Sequence, residues 1–300
     1  MKVIVTGSSG LIGTALVRAL QARGDEVTRV VRRTPQTGEA RWDPEGDRIE
    51  TQVLEGHDAI VHLAGVGIGD HRWTEDHKRA VLDSRVKGTT LLAETLAGLT
   101  DKPKVMASAS AVGYYGLRGD EVLTEDAGAG TGFLADVCKQ WEASTAPAEQ
   151  AGVRVVRFRT GIVLSPDGGA LKQMLLPFKL GLGGRIGNGR QWWSWISIDD
   201  EVGAILHVLD DSAQHGAVNL TAPNPVTNEQ FTRTLNRVLR RPTLLPTPTF
   251  ALKAMFGREA VDEMFLGGQR VTPARLQADG YAFRHADLEG ALRHLLHKSA

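Results

Sequence analysis

The segment Thr6-Gly7-Ser8-Ser9-Gly10-Leu11-Ile12-Gly13 points most directly to chemistry. Its three glycines follow the apolar run Val3, Ile4, Val5 and describe a strand-to-helix turn whose backbone a pyrophosphate can approach closely. The free N–H groups and positive dipole end of the next helix would hold that anion. Leu11, Leu16, Val17 and Leu20 give the following residues an apolar face at helical spacing. That context separates a dinucleotide cradle from a chance triplet among 34 glycines. Gly7, Ser9, Gly10, Leu11, Ile12 and Gly13 are therefore the expected phosphate contacts.

Cofactor choice is set at the end of the second strand. An acidic side chain there would take the ribose 2′-hydroxyl of NAD, but this chain has Arg32 and Arg33, which suit the 2′-phosphate of NADP. A third apolar strand, DAIVHLA from Asp58 to Ala64, should bring the backbone of Leu63, Ala64 and Gly65 past the cofactor. His62, inside that strand, reads as a core histidine. Further on, Tyr114 and Tyr115 follow the strand around Ser108 and Ser110. That places them at the carboxyl edge of the sheet, where open α/β folds bind ligands. Lys139 would carry a proton only if burial lowered its pKa. Glu142, three residues on along the same helix, reads as a salt-bridge partner.

The elements that position these residues alternate. After the first helix, Gly24 and Asp25 turn the chain into a strand at Val27 to Val31. Residues 74 to 98 have a helical pattern, Lys104 to Ser108 a strand, Phe133 to Gln150 a helix, and Arg154 to Arg157 a strand. The expected fold class is α/β, a doubly wound parallel sheet of the NAD(P)-binding Rossmann type with a smaller, mainly helical C-terminal lobe. Residues 1–165 would form the nucleotide domain, with 196–222 returning to it, and 166–195 with 223–300 the substrate lobe. Pro223 to Pro225 and Pro242 to Pro248 punctuate that lobe. Asp199 and Asp200 are expected to cap a helix.

Composition narrows the partners. The 300 residues carry 35 basic and 35 acidic side chains without long runs of either, which gives no electrostatic case for nucleic acid or an anionic membrane. A small-molecule substrate is expected. The single cysteine, Cys138, excludes an internal disulfide. With no signal peptide and no membrane-length apolar run in view, a cytoplasmic protein is expected. The nine histidines form neither HxxxH nor HExxH, so no metal site is expected.

TGSSGLIG, DAIVHLAG and SASAVGYYG, in that order, resemble the extended and atypical short-chain dehydrogenase/reductases. Arg72 to Glu75 (RWTE), Trp141 with Glu142, LLPFKLGLGG from Leu175, WISIDD from Trp195 and roughly Leu245 to Leu296 narrow the resemblance. They are similar to an epimerase-like family with a C-terminal domain of unknown function, whose members are commonly labelled sugar-nucleotide epimerases. The superfamily resemblance implies a serine that polarises the substrate oxygen, here Ser110, with Ser108 on the cofactor side. It also implies a tyrosine that exchanges the proton and a lysine four residues later. No YxxxK occurs, because Arg118, Gly119 and His285 stand four residues beyond the three tyrosines. Lys139 keeps the lysine position, but Ala135 stands where its tyrosine would be.

Arg85 replaces the usual asparagine and is expected to meet the cofactor. Tyr114, Tyr115 and Lys139 are the candidates for the missing proton carrier. Pro177, Gly189, Gln191 and Trp195 fall where relatives cover a sugar nucleotide, and Arg185 or Arg190 could meet an anion. The resemblance also implies a homodimer through the helices at 74–98 and 133–150. Two functions follow: an NADP-dependent oxidoreductase or epimerase acting on a secondary alcohol or ketone, or an NADP-binding sensor or scaffold that has lost the YxxxK pair.

Overall fold

The computed structural model describes residues 1–210, 213–241 and 246–298. Leu245, the expected start of the C-terminal domain, and Pro242 lie outside the described residues. In chain order the strands are β1 (Lys2–Thr6), β2 (Glu26–Val31), β3 (Glu39–Asp43), β4 (Arg48–Ile49), β5 (Ala59–His62), β6 (Val105–Ala111), β7 (Val122–Leu123), β8 (Arg154–Thr160), β9 (Ile162–Leu164), β10 (Trp192–Trp193), β11 (Trp195–Ser197), β12 (Gly216–Leu220), β13 (Val226–Thr227) and β14 (Arg270–Val271). The helices are α1 (Leu11–Ala22), α2 (Glu75–Gly98), α3 (Phe133–Ala143), α4 (Ala146–Gln150), α5 (Gly169–Lys179), α6 (Ile198–Asp210), α7 (Asn228–Leu239), α8 (Thr249–Phe256), α9 (Arg258–Met264), α10 (Ala274–Ala278) and α11 (Leu288–Leu295).

The main sheet has the order β12-β8-β6-β5-β1-β2-β3-β4 and is parallel from β12 to β3. Strand β4 pairs antiparallel with β3. The order reverses between β1 and β5, which opens a crevice at their carboxyl ends, the place where doubly wound folds bind ligands. Alternate residues of each central strand go to opposite faces. Val3 and Val5 pack with Leu16 and Leu20 of α1 and Ile205 of α6, whereas Ile4 packs with Leu92 and Leu96 of α2. Both faces are thus covered by helices, which accounts for the unbroken apolar runs.

A separate core in the later part of the chain gathers Leu171, Phe178, Trp193, Trp195, Phe231 and Leu292. Trp195 is fully buried and donates to the Asn224 carbonyl, so it packs rather than stacks on a sugar. The single helix expected over Phe133 to Gln150 is two, α3 and α4. Ser144 and Thr145 turn their hydroxyls back onto Gln140 and Glu142 carbonyls at the break, and Pro147 starts the second piece. At the start of α6 the cap is Ser197, whose Oγ accepts the Asp200 N–H. The Asp200 carboxylate instead accepts the backbone N–H groups of Arg284 and His285, 2.7 and 3.0 Å away, and fastens the C-terminal segment to the sheet domain. No helix among the described residues is long and apolar enough to cross a membrane.

Candidate active site

The glycines of the first turn have distinct jobs. Gly7 has φ +65°, and a Cβ there would lie 2.6 Å from the Leu63 carbonyl carbon, so β1 and the end of β5 touch through bare backbone. A Cβ on Gly13 would collide with the Gly7 carbonyl oxygen. Gly10 is different: its Cβ would meet only the Gly7 oxygen, at 3.3 Å, and its other side is open. As the N-cap of α1 it offers no side-chain cap, leaving the first N–H groups, those of Leu11, Ile12 and Gly13, without intrahelical acceptors. A cavity of about 510 Å³ begins here, lined by Gly7, Ser9 and Gly10, by Leu63, Ala64 and Gly65, and by Arg32 and Arg33 at its far end. A donor set at one end and cations at the other fit a dinucleotide carrying an extra phosphate.

The two arginines are not equivalent. Arg33 holds Glu39 through two hydrogen bonds of 2.7 and 2.6 Å, and Arg29 donates to Ser8 Oγ at 3.1 Å. Hydrogen bonds from Arg33 and from the Gln36 N–H keep the Glu39 carboxyl below its ordinary range. Arg32 has no hydrogen-bond or ion-pair partner among the described residues, and it is exposed at the cavity wall. It is the cation available to a ligand.

Arg85 lies against Gly65, and Ser110 stands at the end of β6, the strand beside β5. Arg85 donates to the carbonyls of Val66 and Val81 at 2.9 and 3.0 Å and lies over the Trp141 ring. Burial holds its guanidinium below the ordinary value, and no carboxylate among the described residues pairs with it. Ser110, 4% exposed at the end of β6, donates to Glu142 Oε1 at 2.7 Å. Arg159, from β8, grips the same carboxylate with two hydrogen bonds of 2.8 and 2.9 Å. The Arg159 guanidinium also covers the Tyr114 ring, with its carbon 3.4 Å from the ring centroid. Burial alone would lower the Arg159 pKa, but Glu142 overrides it and holds the value above normal.

Three sequence expectations change on this geometry. Tyr115 is fully buried, donates to Asn219 Oδ1 at 2.7 Å and accepts from Arg159 at 3.1 Å. Burial pushes its phenol up, against the pull of Arg159 and Asn219, so it is fixed in the interior rather than aimed at a ligand. Lys139 faces solvent on α3 and pairs with Asp136 at 2.6 Å, so the burial that a direct proton role needs is missing. Ser108 is buried within the sheet beside His62 and does not line the cavity. Tyr114 remains: it is half-buried, and its hydroxyl has no hydrogen-bond partner among the described residues. His62 sits in the core as expected, between Thr6 Oγ1 at 2.7 Å and Thr89 Oγ1 at 3.0 Å, with burial pushing its pKa down to about 4.

Family comparison agrees with the fold and the glycine turn. The NAD dependent epimerase/dehydratase family model matches residues 3–221, and a domain of unknown function, DUF1731, matches 247–295. The chain belongs to the NAD dependent epimerase/dehydratase family. Among its relatives are an epimerase family protein of Mycobacterium leprae, 45% identical over 97% of this chain and 94% of that one, and human epimerase family protein SDR39U1, 38% identical over 99% and 100%. The crystal structure of human SDR39U1 (isoform 2) with NADPH superposes with a TM-score of 0.91 at 37% identity, covering 99% of both chains.

Within this epimerase/dehydratase framework, Arg159 is the site residue that sequence reading missed. A signal was present, since a third arginine in the strand RVVRFRT breaks the apolar run expected of a buried parallel strand. Glu142 did read as a salt-bridge partner, but on the Lys139 face. The helix instead turns Glu142 inward to Arg159 and Ser110 and Lys139 outward to Asp136.

Proposed function

We propose that this protein is an NADP(H)-dependent oxidoreductase of the epimerase-like kind, acting on a secondary alcohol or ketone, with a nucleotide sugar as the candidate substrate class. The observation that carries this reading is the cavity from the Gly10 cradle to the unpartnered Arg32, at the same carboxyl edge of the sheet where β6 ends near Ser110 and leads on to Tyr114. The crystallised human relative with NADPH and the match to the epimerase/dehydratase family support the cofactor assignment.

When bound, NADP would supply hydride transfer. The chain's own residues do the rest. Gly10 and the first N–H groups of α1 hold the pyrophosphate, and Arg32 takes the 2′-phosphate. Ser110, held by Glu142, orients the substrate oxygen. Tyr114, clamped by Arg159, holds or accepts the proton at its phenolic oxygen, in place of the absent YxxxK tyrosine. A reducing cytoplasm suits a chain whose one cysteine is buried and unpaired.

A panel of ketones and nucleotide sugars tests this reading, with NADPH absorbance and product configuration as readouts. Tyr114→Phe should abolish turnover while leaving NADPH affinity unchanged, and Lys139→Ala should leave both unchanged. A second reading, a non-catalytic NADP-binding sensor, is favoured by the engagement of the Ser110 hydroxyl with Glu142. It prevails if NADPH binds but no panel member is turned over.

A further inference from the structure

Asp199, at the start of α6, meets His285 and His294, from the segment before α11 and from α11 itself, although they lie far apart in sequence. Asp199 Oδ2 is 3.1 Å from His294 Nε2 and 3.7 Å from His285 Nε2, and one candidate ligand atom from each of the three residues lies within 4.8 Å of the others. Ligand atoms bound at 2.0–2.1 Å around a tetrahedral ion stand roughly 3.3 Å apart, so these side chains need only close on a common point. The two imidazoles also lie side by side, with centroids 4.6 Å apart and planes 34° apart. The three side chains thus bring one candidate ligand atom each within reach of a common point.

We propose that Asp199, His285 and His294 form a binding site for a first-row divalent metal ion, with Zn²⁺ as the representative occupant. The ligand set is of the kind that suits such ions, two imidazoles and a carboxylate. The backbone beneath it is fixed. Asp200 accepts the N–H groups of Arg284 and His285 and is itself met by Ser197 and Tyr281, so His285 is set relative to α6 before any ion arrives. Helix α11 carries His294 and is capped by Asp287 through the Gly290 N–H at 2.8 Å.

Asp199 and Arg284 also line a cavity of about 900 Å³ between α1 and α6, which meets the cofactor cleft at Ser9 and Gly10. Three protein ligands leave a coordination position for water or a small anion. The ion would clasp the C-terminal helix to the nucleotide domain. No short spacing motif links these ligands, because they come from α6 and from the distant segment around α11.

The test uses the full-length protein without a histidine tag, titrated with Zn²⁺ alone by calorimetry and with Co²⁺ followed by its visible absorption. One equivalent of Zn²⁺ should bind, raise the thermal midpoint and be removed by a chelator, and Co²⁺ should give d–d bands of a low-symmetry site. His294→Ala, at an exposed position of α11, should weaken binding at least about tenfold and cancel the thermal shift. His285→Ala should do the same. Absence of saturable one-to-one binding up to millimolar Zn²⁺ overturns the proposal, as does binding that survives His294→Ala in a protein with unchanged circular dichroism.

Discussion

Arg159 lies across the face of Tyr114 while its nitrogens grip Glu142, so one buried guanidinium sets both the ring and the carboxylate that holds Ser110. Its side chain and that of Glu142 are only 5% and 11% exposed. Removing one partner of such a pair leaves the other charge buried and uncompensated, which costs about 3–5 kcal/mol. Arg159→Met should therefore lower unfolding free energy by about that amount in urea titrations, whereas Tyr114→Phe should change it little. Equal stability of Arg159→Met and the parent would mean that the pair is solvated and does not order the site.

The cofactor preference should rest on Arg32 rather than Arg33. Arg32 is unpartnered among the described residues, whereas Arg33 already satisfies Glu39. A charged hydrogen bond contributes about 1.5–3 kcal/mol, or roughly 10- to 100-fold in affinity. Arg32→Asp should weaken NADPH by that factor while NADH changes far less, as read by fluorescence titration. Arg33→Ala should mainly loosen the loop around Glu39. If Arg33→Ala alone erased the preference for NADPH, the roles would have to be exchanged.

The parts that were legible in the sequence are those fixed by local chemistry. The glycine turn, the apolar parallel strands and the core histidine His62 each follow from residue type and period, because backbone clearance and burial act within a few residues. The candidate catalytic cluster was only half legible. Ser110 and Tyr114 stand on one strand end, but what they touch is decided by Arg159, from a strand beyond the next helix pair, and by which way α3 faces. Periodicity put Lys139 and Glu142 on one face. The helix is rotated so that they point apart, and a tertiary ion pair decides it. The convergence of Asp199 with His285 and His294 was invisible for the same reason, since no spacing rule links the ends of two separate elements.

Gly10 and Gly13 should respond differently to alanine although they lie in one turn. A methyl at Gly13 runs into the Gly7 carbonyl, so Gly13→Ala should destabilise the fold itself. A methyl at Gly10 meets only mild crowding and otherwise fills the open side of the cradle. Gly10→Ala should keep a near-parental thermal midpoint without ligand and lose NADPH binding, as well as the stabilisation that NADPH gives the parent. A Gly10→Ala protein that binds NADPH normally would show that the pyrophosphate does not lie against this backbone.

Glu201 provides a pH signature independent of the active site. It is fully enclosed on α6, and among the described residues its carboxyl meets one hydrogen-bond partner, Thr160 Oγ1 at 3.1 Å, with Oε2 unpartnered. Burial pushes its pKa up to about 8, only partly offset by that hydrogen bond. In the unfolded chain it titrates near the ordinary value of about 4.3. Below that value both states are protonated and the group costs nothing. Between roughly pH 4.5 and 8 the unfolded chain releases the proton while the folded protein keeps it, so stability falls by up to about 1.4 kcal/mol per pH unit. Above about pH 8 both states are ionised and the loss levels off. Glu201→Gln removes the titration but keeps an acceptor for Thr160. Its unfolding free energy should match the parent's near pH 4.5 and exceed it progressively toward pH 8. Parallel stability curves for the two proteins across that range would show that the carboxyl is ionised in the folded state at neutral pH, which requires water or a cation beside Oε2.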